Sequence, residues 1–158
     1  MTRFFDLDQA NELIPEVRTI LEGLRDERAE LIRLRDQVLL HRSATESPAS
    51  APSETTRRRP GPGRGAGLTD PEASEGGEDA SGRDPEVRVL RLRMQGVIDQ
   101  MQAGVARIDE LGVTLREIET GLIDFPALAS GRQIWLCWRL GEGDVAWWHE
   151  LGEGFGGR

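Results

Sequence analysis

Residues 7–38 read LDQANELIPEVRTILEGLRDERAELIRLRDQV, and their spacing sets the fold class. Leu7, Ala10, Ile14, Val17, Leu21, Leu24, Arg28, Leu31, Arg35 and Val38 step by three and four, and all but the two arginines are apolar. That period is the apolar stripe of a heptad-like helix, not the alternation of a strand. Asp6 is placed to cap the helix, with Gln9 three residues on to reach back. Pro15 has no N–H and crowds the preceding turn. It predicts a kink, or a short helix ending near Ile14 and a longer one starting at Pro15. Arg28 and Arg35 are expected to run outward along the helix or to pair with acids on a facing helix.

The same step returns after residue 84. Val87, Leu90, Met94, Val97, Met101, Gly104, Ile108 and Leu111 form a second stripe, with Asp84 as cap, Pro85 in the first turn and Gly112 as stop. Neither helix can bury its stripe alone, so an antiparallel helical hairpin is the economical arrangement. Between the helices lies a different kind of chain. Of the 42 positions from 43 to 84, 28 are Gly, Pro, Ser, Thr or Ala, and Leu68 is the only large apolar residue. Such a segment cannot bury enough surface to offset its ordering entropy, so disorder is expected. The Arg57-Arg58-Arg59 run inside it reads as solvation, with a regulatory role as the sharper option.

Beyond Gly112 the period changes. Residues 113–118 alternate weakly, residues 121–126 read as a short extended piece, and Ser130-Gly131 as a turn. Arg132–Leu140 and Val145–Leu151 form the clearest hairpin, around Gly141-Glu142-Gly143-Asp144. A two-residue turn or a four-residue loop gives one register: Leu140 with Val145, Trp138 with Trp147, Leu136 with His149, Ile134 with Leu151. His149 then lies on an apolar face and Cys137 on the opposite one.

Composition narrows the function. The chain has 158 residues and a net charge of -8, from 20 basic and 28 acidic residues; every basic residue is Arg. No segment is basic overall, so a nucleic-acid partner is not expected. Without lysine there is no Schiff-base or P-loop lysine chemistry. Cys137, the single cysteine, excludes an intrachain disulfide and a multi-thiolate cage. No apolar run is long enough for a bilayer, and the first residues lack a secretion-signal profile, so a cytoplasmic location away from membranes is expected.

Four stretches carry a resemblance: Phe5 to Pro15, Gly121 to Ala127, Leu136 to Glu142, and Trp148-His149-Glu150 with Gly154 to Arg158. Together they resemble the bacterial family catalogued as domain of unknown function 2203. The resemblance covers both ends of the chain and implies a helical pair followed by a small sheet. It implies no activity.

The expected architecture is therefore α+β: a long, coiled-coil-like antiparallel helical hairpin packed on a small, mostly antiparallel sheet. Residues 1–42 and 85–158 make one domain, and 43–84 a disordered insertion. For chemistry, His149, Glu150 and Asp124, with Cys137 nearby, are the only cluster with suitable metal-ligand or acid–base groups. The spacing matches no zinc signature, and a structural histidine satisfied by Asp124 or a carbonyl is the simpler reading. Trp135, Arg139, Trp148 and Arg158 are candidates for a partner-binding patch, since Trp and Arg dominate interface energetics. Gly152 to Gly157 matches G-x-G-x-x-G only literally, with no helix to follow. His41 is expected merely to favour a helix C-terminus. The resulting expectation is a non-enzymatic interaction or scaffold protein without a cofactor, acting as a homodimer or with a protein partner. The homodimer is motivated by Leu13, Ile20 and Ile98 beside the stripes. A small metal-binding protein or enzyme centred on the C-terminal hairpin is the alternative.

Overall fold

The reciprocal cap foreseen at Asp6 opens the fold. In the computed structural model, which describes residues 3–45 and 84–153, the Gln9 N–H donates to Asp6 Oδ1 at 2.8 Å and the Asp6 N–H to Gln9 Oε1 at 3.2 Å. Helix α1 then spans Leu7–Thr45 without a break. Pro15 does not divide it, so the two-helix reading is corrected. One missing hydrogen bond at Pro15 is outweighed by buried side chains on both sides, since tertiary packing supplies most helix stability. The helix also runs three residues past the expected boundary at 42. The disorder expected between the helices falls on residues 46–83, outside the described residues.

The stripe buries Ala10, Ile14, Val17, Leu21 and Leu24 as spaced, but Leu7 is half exposed. Past Leu24 it drifts. Leu34 is buried in place of Arg35, which pairs with Asp36 at 2.8 Å. The α1 residues that share the core with the sheet end at Leu24, so beyond it the inward side of α1 is the one that faces α2. Arg28 does not pair with a facing helix. It reaches Glu119, beyond the helices, at 3.0 Å.

Helix α2 spans Pro85–Glu110, and the Asp84 side chain accepts the Glu86 N–H at 2.8 Å. Its stripe meets α1, with Val87, Val97 and Ile108 buried. At Gly104 the helices come so close that an added Cβ would lie 2.9 Å from Leu24 Cδ2. Ion pairs lace the hairpin, Arg107 with Glu16 at 2.7 Å and Arg93 with Glu30 at 2.5 Å. His41 does more than face a helix end: its Nε2 lies 3.2 Å from the Glu86 carboxylate across the hairpin.

Gly112, at φ +79°, turns the chain into the sheet. Strands β1 (Thr114–Glu117), β2 (Leu122–Ala129), β3 (Arg132–Arg139) and β4 (Trp147–Glu150) pair antiparallel in the order β1-β2-β3-β4. Ser130 and Gly131, both at positive φ, make the two-residue turn between β2 and β3. Phe5 adds one parallel bridge to Ala127, its N–H donating to the Pro126 carbonyl at 2.8 Å.

The last hairpin corrects the expected register. Cys137 pairs with Trp147, Leu136 with Trp148, Trp135 with His149 and Ile134 with Glu150. The slip is one residue, and it moves every β4 side chain to the other face. Its cause lies in the connection, which is no tight turn. The Trp138 indole N–H donates to the Gly143 carbonyl at 2.7 Å, and the Val145 N–H donates to Asn11 Oδ1 on α1 at 2.7 Å. Val145 is drawn into the core, so the loop consumes residues that the expected register had assigned to β4. The sheet's inner face, with Ile123, Phe125 and Trp138, packs with Ala10, Ile14, Val17 and Leu21 of α1 and Ile108 of α2. Phe5 meets Phe125 edge-on at 5.3 Å.

Candidate functional site

The inner face is apolar, so alternation puts the polar residues of β2 to β4 on the outer one. Asp124 stands between buried Ile123 and Phe125 and points outward. It pairs with Cys137 on β3, while His149 on β4 pairs with Trp135. The corrected register thus places Asp124, Cys137 and His149 on one face, where the expected register had parted Cys137 from His149. All three are buried: Asp124 is 2%, Cys137 0% and His149 4% exposed. One ligand atom from each lies within 4.8 Å of the others.

The hydrogen bonds define the histidine. His149 Nδ1 lies 2.8 Å from the Glu150 carbonyl, which can only accept, so Nδ1 carries a proton. Nε2 is left facing Asp124 Oδ2 at 3.5 Å. The same Oδ2 accepts from Arg116 Nε of β1 at 2.7 Å, and the Arg116 guanidinium stacks over the Trp135 ring at 4.9 Å. Beside the cluster lies a cavity of about 330 Å³, lined by Arg116, Leu122, Leu151, Gly152 and Glu153 as well as Asp124 and His149. Imidazole, carboxylate and thiol therefore converge next to open volume.

Of the residues singled out from the sequence, Glu150 serves this site only through its carbonyl. Its side chain turns to the other face and pairs with Arg132 at 3.2 Å. The partner-patch candidates do not form one surface. Trp135 and Arg139 share the outer face, and Arg139 lies beside Glu142 at 4.0 Å. Trp148 shares the opposite face with Leu136 and is 55% exposed. Arg158 lies outside the described residues, as do Gly154 to Gly157 of the literal glycine motif. Arg116 was missed; its only signal was its place in a weakly alternating strand.

A second surface lies where the hairpin ends, away from the sheet. Leu39, Leu40, Val89 and Leu92 are each more than half exposed there. Leu40 and Val89 line a groove of about 490 Å³ with Pro85, Leu90 and the His41–Glu86 pair.

The match to a described family fits this architecture. The family model described as "Uncharacterized conserved protein (DUF2203)" covers residues 3–158. The chain belongs to that family. A DUF2203 chain thus carries both surfaces. No curated protein and no solved structure matches it. Among the described residues, no helix is long and apolar enough to cross a membrane.

Proposed function

We propose that this DUF2203 protein is a protein-interaction module whose helical hairpin docks a partner at its far end. The observation that supports this is the group of large apolar side chains at that end, Leu39, Leu40, Val89 and Leu92. The long insertion carries only Leu68 as a large apolar residue, so it has little with which to cover them. Charge favours a particular occupant. Residues 30–45 and 84–93 together carry six arginines against four acids, in a chain of net charge -8. A partner segment that is apolar on one side and acidic on the other complements such a surface.

The test is quantitative capture from the cell of origin, comparing wild type, Leu40→Asp with Val89→Asp, and Trp148→Ala. The expected result is a partner lost only with the Leu40/Val89 variant, cross-linked to α1 or α2 through an acidic segment. Equal capture by all three proteins would overturn the proposal.

Homodimerisation has its own support. A lateral groove of about 620 Å³, lined by Leu31, Ile98, Met101 and Val105, has Asp109 as its one charged lining residue. Such a groove lets two copies approach without repulsion. Of the residues that motivated a dimer, Leu13 and Ile20 are spent on the protomer's own core, and Ile98 lines this groove. Light scattering is expected to show a dimer that Val105→Glu dissociates. A strict monomer at high concentration would end this reading.

A further inference from the structure

We infer that Asp124, Cys137 and His149 form a binding site for a divalent transition-metal ion, with Zn²⁺ as the best-fitting occupant. This inference is independent of the docking proposal and rests on the outer face of the sheet.

Four features carry it. The donors are an imidazole nitrogen, a thiol sulfur and a carboxylate oxygen, the ligand set of borderline-soft ions. All three are buried side by side on the outer face of the sheet. The proton on His149 Nδ1 is held by the Glu150 carbonyl, the usual outer contact of a metal-binding histidine, which turns Nε2 toward the other ligands. The separation also fits. Nε2 and Asp124 Oδ2 are 3.5 Å apart, long for a charge-assisted hydrogen bond of about 2.7–2.9 Å. Two ligand atoms each about 2.1 Å from a tetrahedral ion lie about 3.4 Å from one another. The pair already has the spacing of two tetrahedral ligands, and Cys137 Sγ lies within 4.8 Å of a ligand atom of each.

A thiolate and a carboxylate supply two negative charges to a divalent ion, Arg116 adds one positive charge beside the carboxylate, and the neutral imidazole completes three protein ligands. Arg116, bonded to Asp124 Oδ2, is then an outer contact that orients the carboxylate. The cavity on the side of Arg116, Leu151 and Glu153 leaves room for water as a fourth ligand. Three protein ligands beside an open position describe an exchangeable site rather than a closed structural one. The Cys137 thiol must shed its proton to ligate, so binding tightens as pH rises.

Co²⁺ provides the decisive probe, because Cys137 is the chain's single cysteine. Full-length protein without a histidine tag is stripped with chelator and titrated with Co²⁺. The expected result is one equivalent bound, with thiolate-to-cobalt charge-transfer absorption and tetrahedral visible bands, both erased by Zn²⁺. Cys137→Ala abolishes the charge-transfer band, and His149→Gln removes stoichiometric binding; circular dichroism checks that both fold. Should either variant unfold, the wild-type spectrum still decides, since no other residue can supply a thiolate. A folded wild type with no charge-transfer band at saturating Co²⁺ overturns the inference. So does Zn²⁺ uptake that is undiminished in folded Cys137→Ala and His149→Gln.

Discussion

Replacing Glu27 with leucine is expected to stabilise the protein, and the gain is expected to grow with pH. Glu27 lies between Leu24 and Leu31 on the drifting stripe of α1, where an apolar residue belongs. Its Oε2 is shielded from solvent and has no hydrogen-bond partner, although the rest of the side chain is only half-buried. The nearby arginines, Arg33 and Arg93, both bond Glu30 instead. An unsatisfied buried polar group costs about 1–3 kcal/mol, and the partial exposure of Glu27 argues for the low end, about 1 kcal/mol. That corresponds to a rise in Tm of about 4 °C. Burial first, and then the neighbouring Asp26 carboxylate, push the Glu27 pKa up. The folded state therefore holds the Glu27 proton more tightly than the unfolded chain does. This favourable contribution is full below the unfolded pKa and is lost as pH rises through the folded one. The variant has no such group, so its advantage over wild type is smallest at about pH 4 and larger at neutral pH. Urea unfolding of both proteins across that range measures the difference directly. A variant less stable than wild type at neutral pH, or an advantage that shrinks as pH rises, refutes the reasoning.

Other substitutions probe the remaining joints. Gly121 sits at φ +63°, and an added Cβ would lie 2.6 Å from Leu140 Cβ. Gly121→Ala should cost about 2–4 kcal/mol from left-handed strain and overpacking, read by denaturant midpoint. Asn11→Ala strands the Val145 N–H and should cost about 1–3 kcal/mol, with faster amide exchange in the 140–146 loop. Arg28→Ala breaks an exposed pair with Glu119 and should change unfolding free energy by less than about 1 kcal/mol.

The helices were legible because their signals are local. The Asp6–Gln9 cap, the Asp84 cap and the stop at Gly112 depend on residues a few positions apart, and each appears in the structure. The exchange of Arg35 for Leu34 was hidden because it depends on which element covers α1 past Leu24, not on the spacing within the helix. The sheet was legible as a set of strands but not as a register. Register depended on whether 140–146 formed a tight turn, and contacts from Asn11 and within the loop at Trp138 decided otherwise. For the same reason the four candidate chemical groups were partly misgrouped. Glu150 was counted in by proximity in sequence and points away, while His149 was set on the core face and belongs with Cys137 on the outer one. Arg116 came from a strand whose alternation was too weak to assign its face.

The outer-face site exists only if β3 and β4 pair as described. Backbone NOEs in solution NMR test this most directly. Cross-strand contacts should link Cys137 with Trp147 and Trp135 with His149. Contacts linking Trp138 with Trp147 and Leu136 with His149 would return Cys137 and His149 to opposite faces and contradict the site.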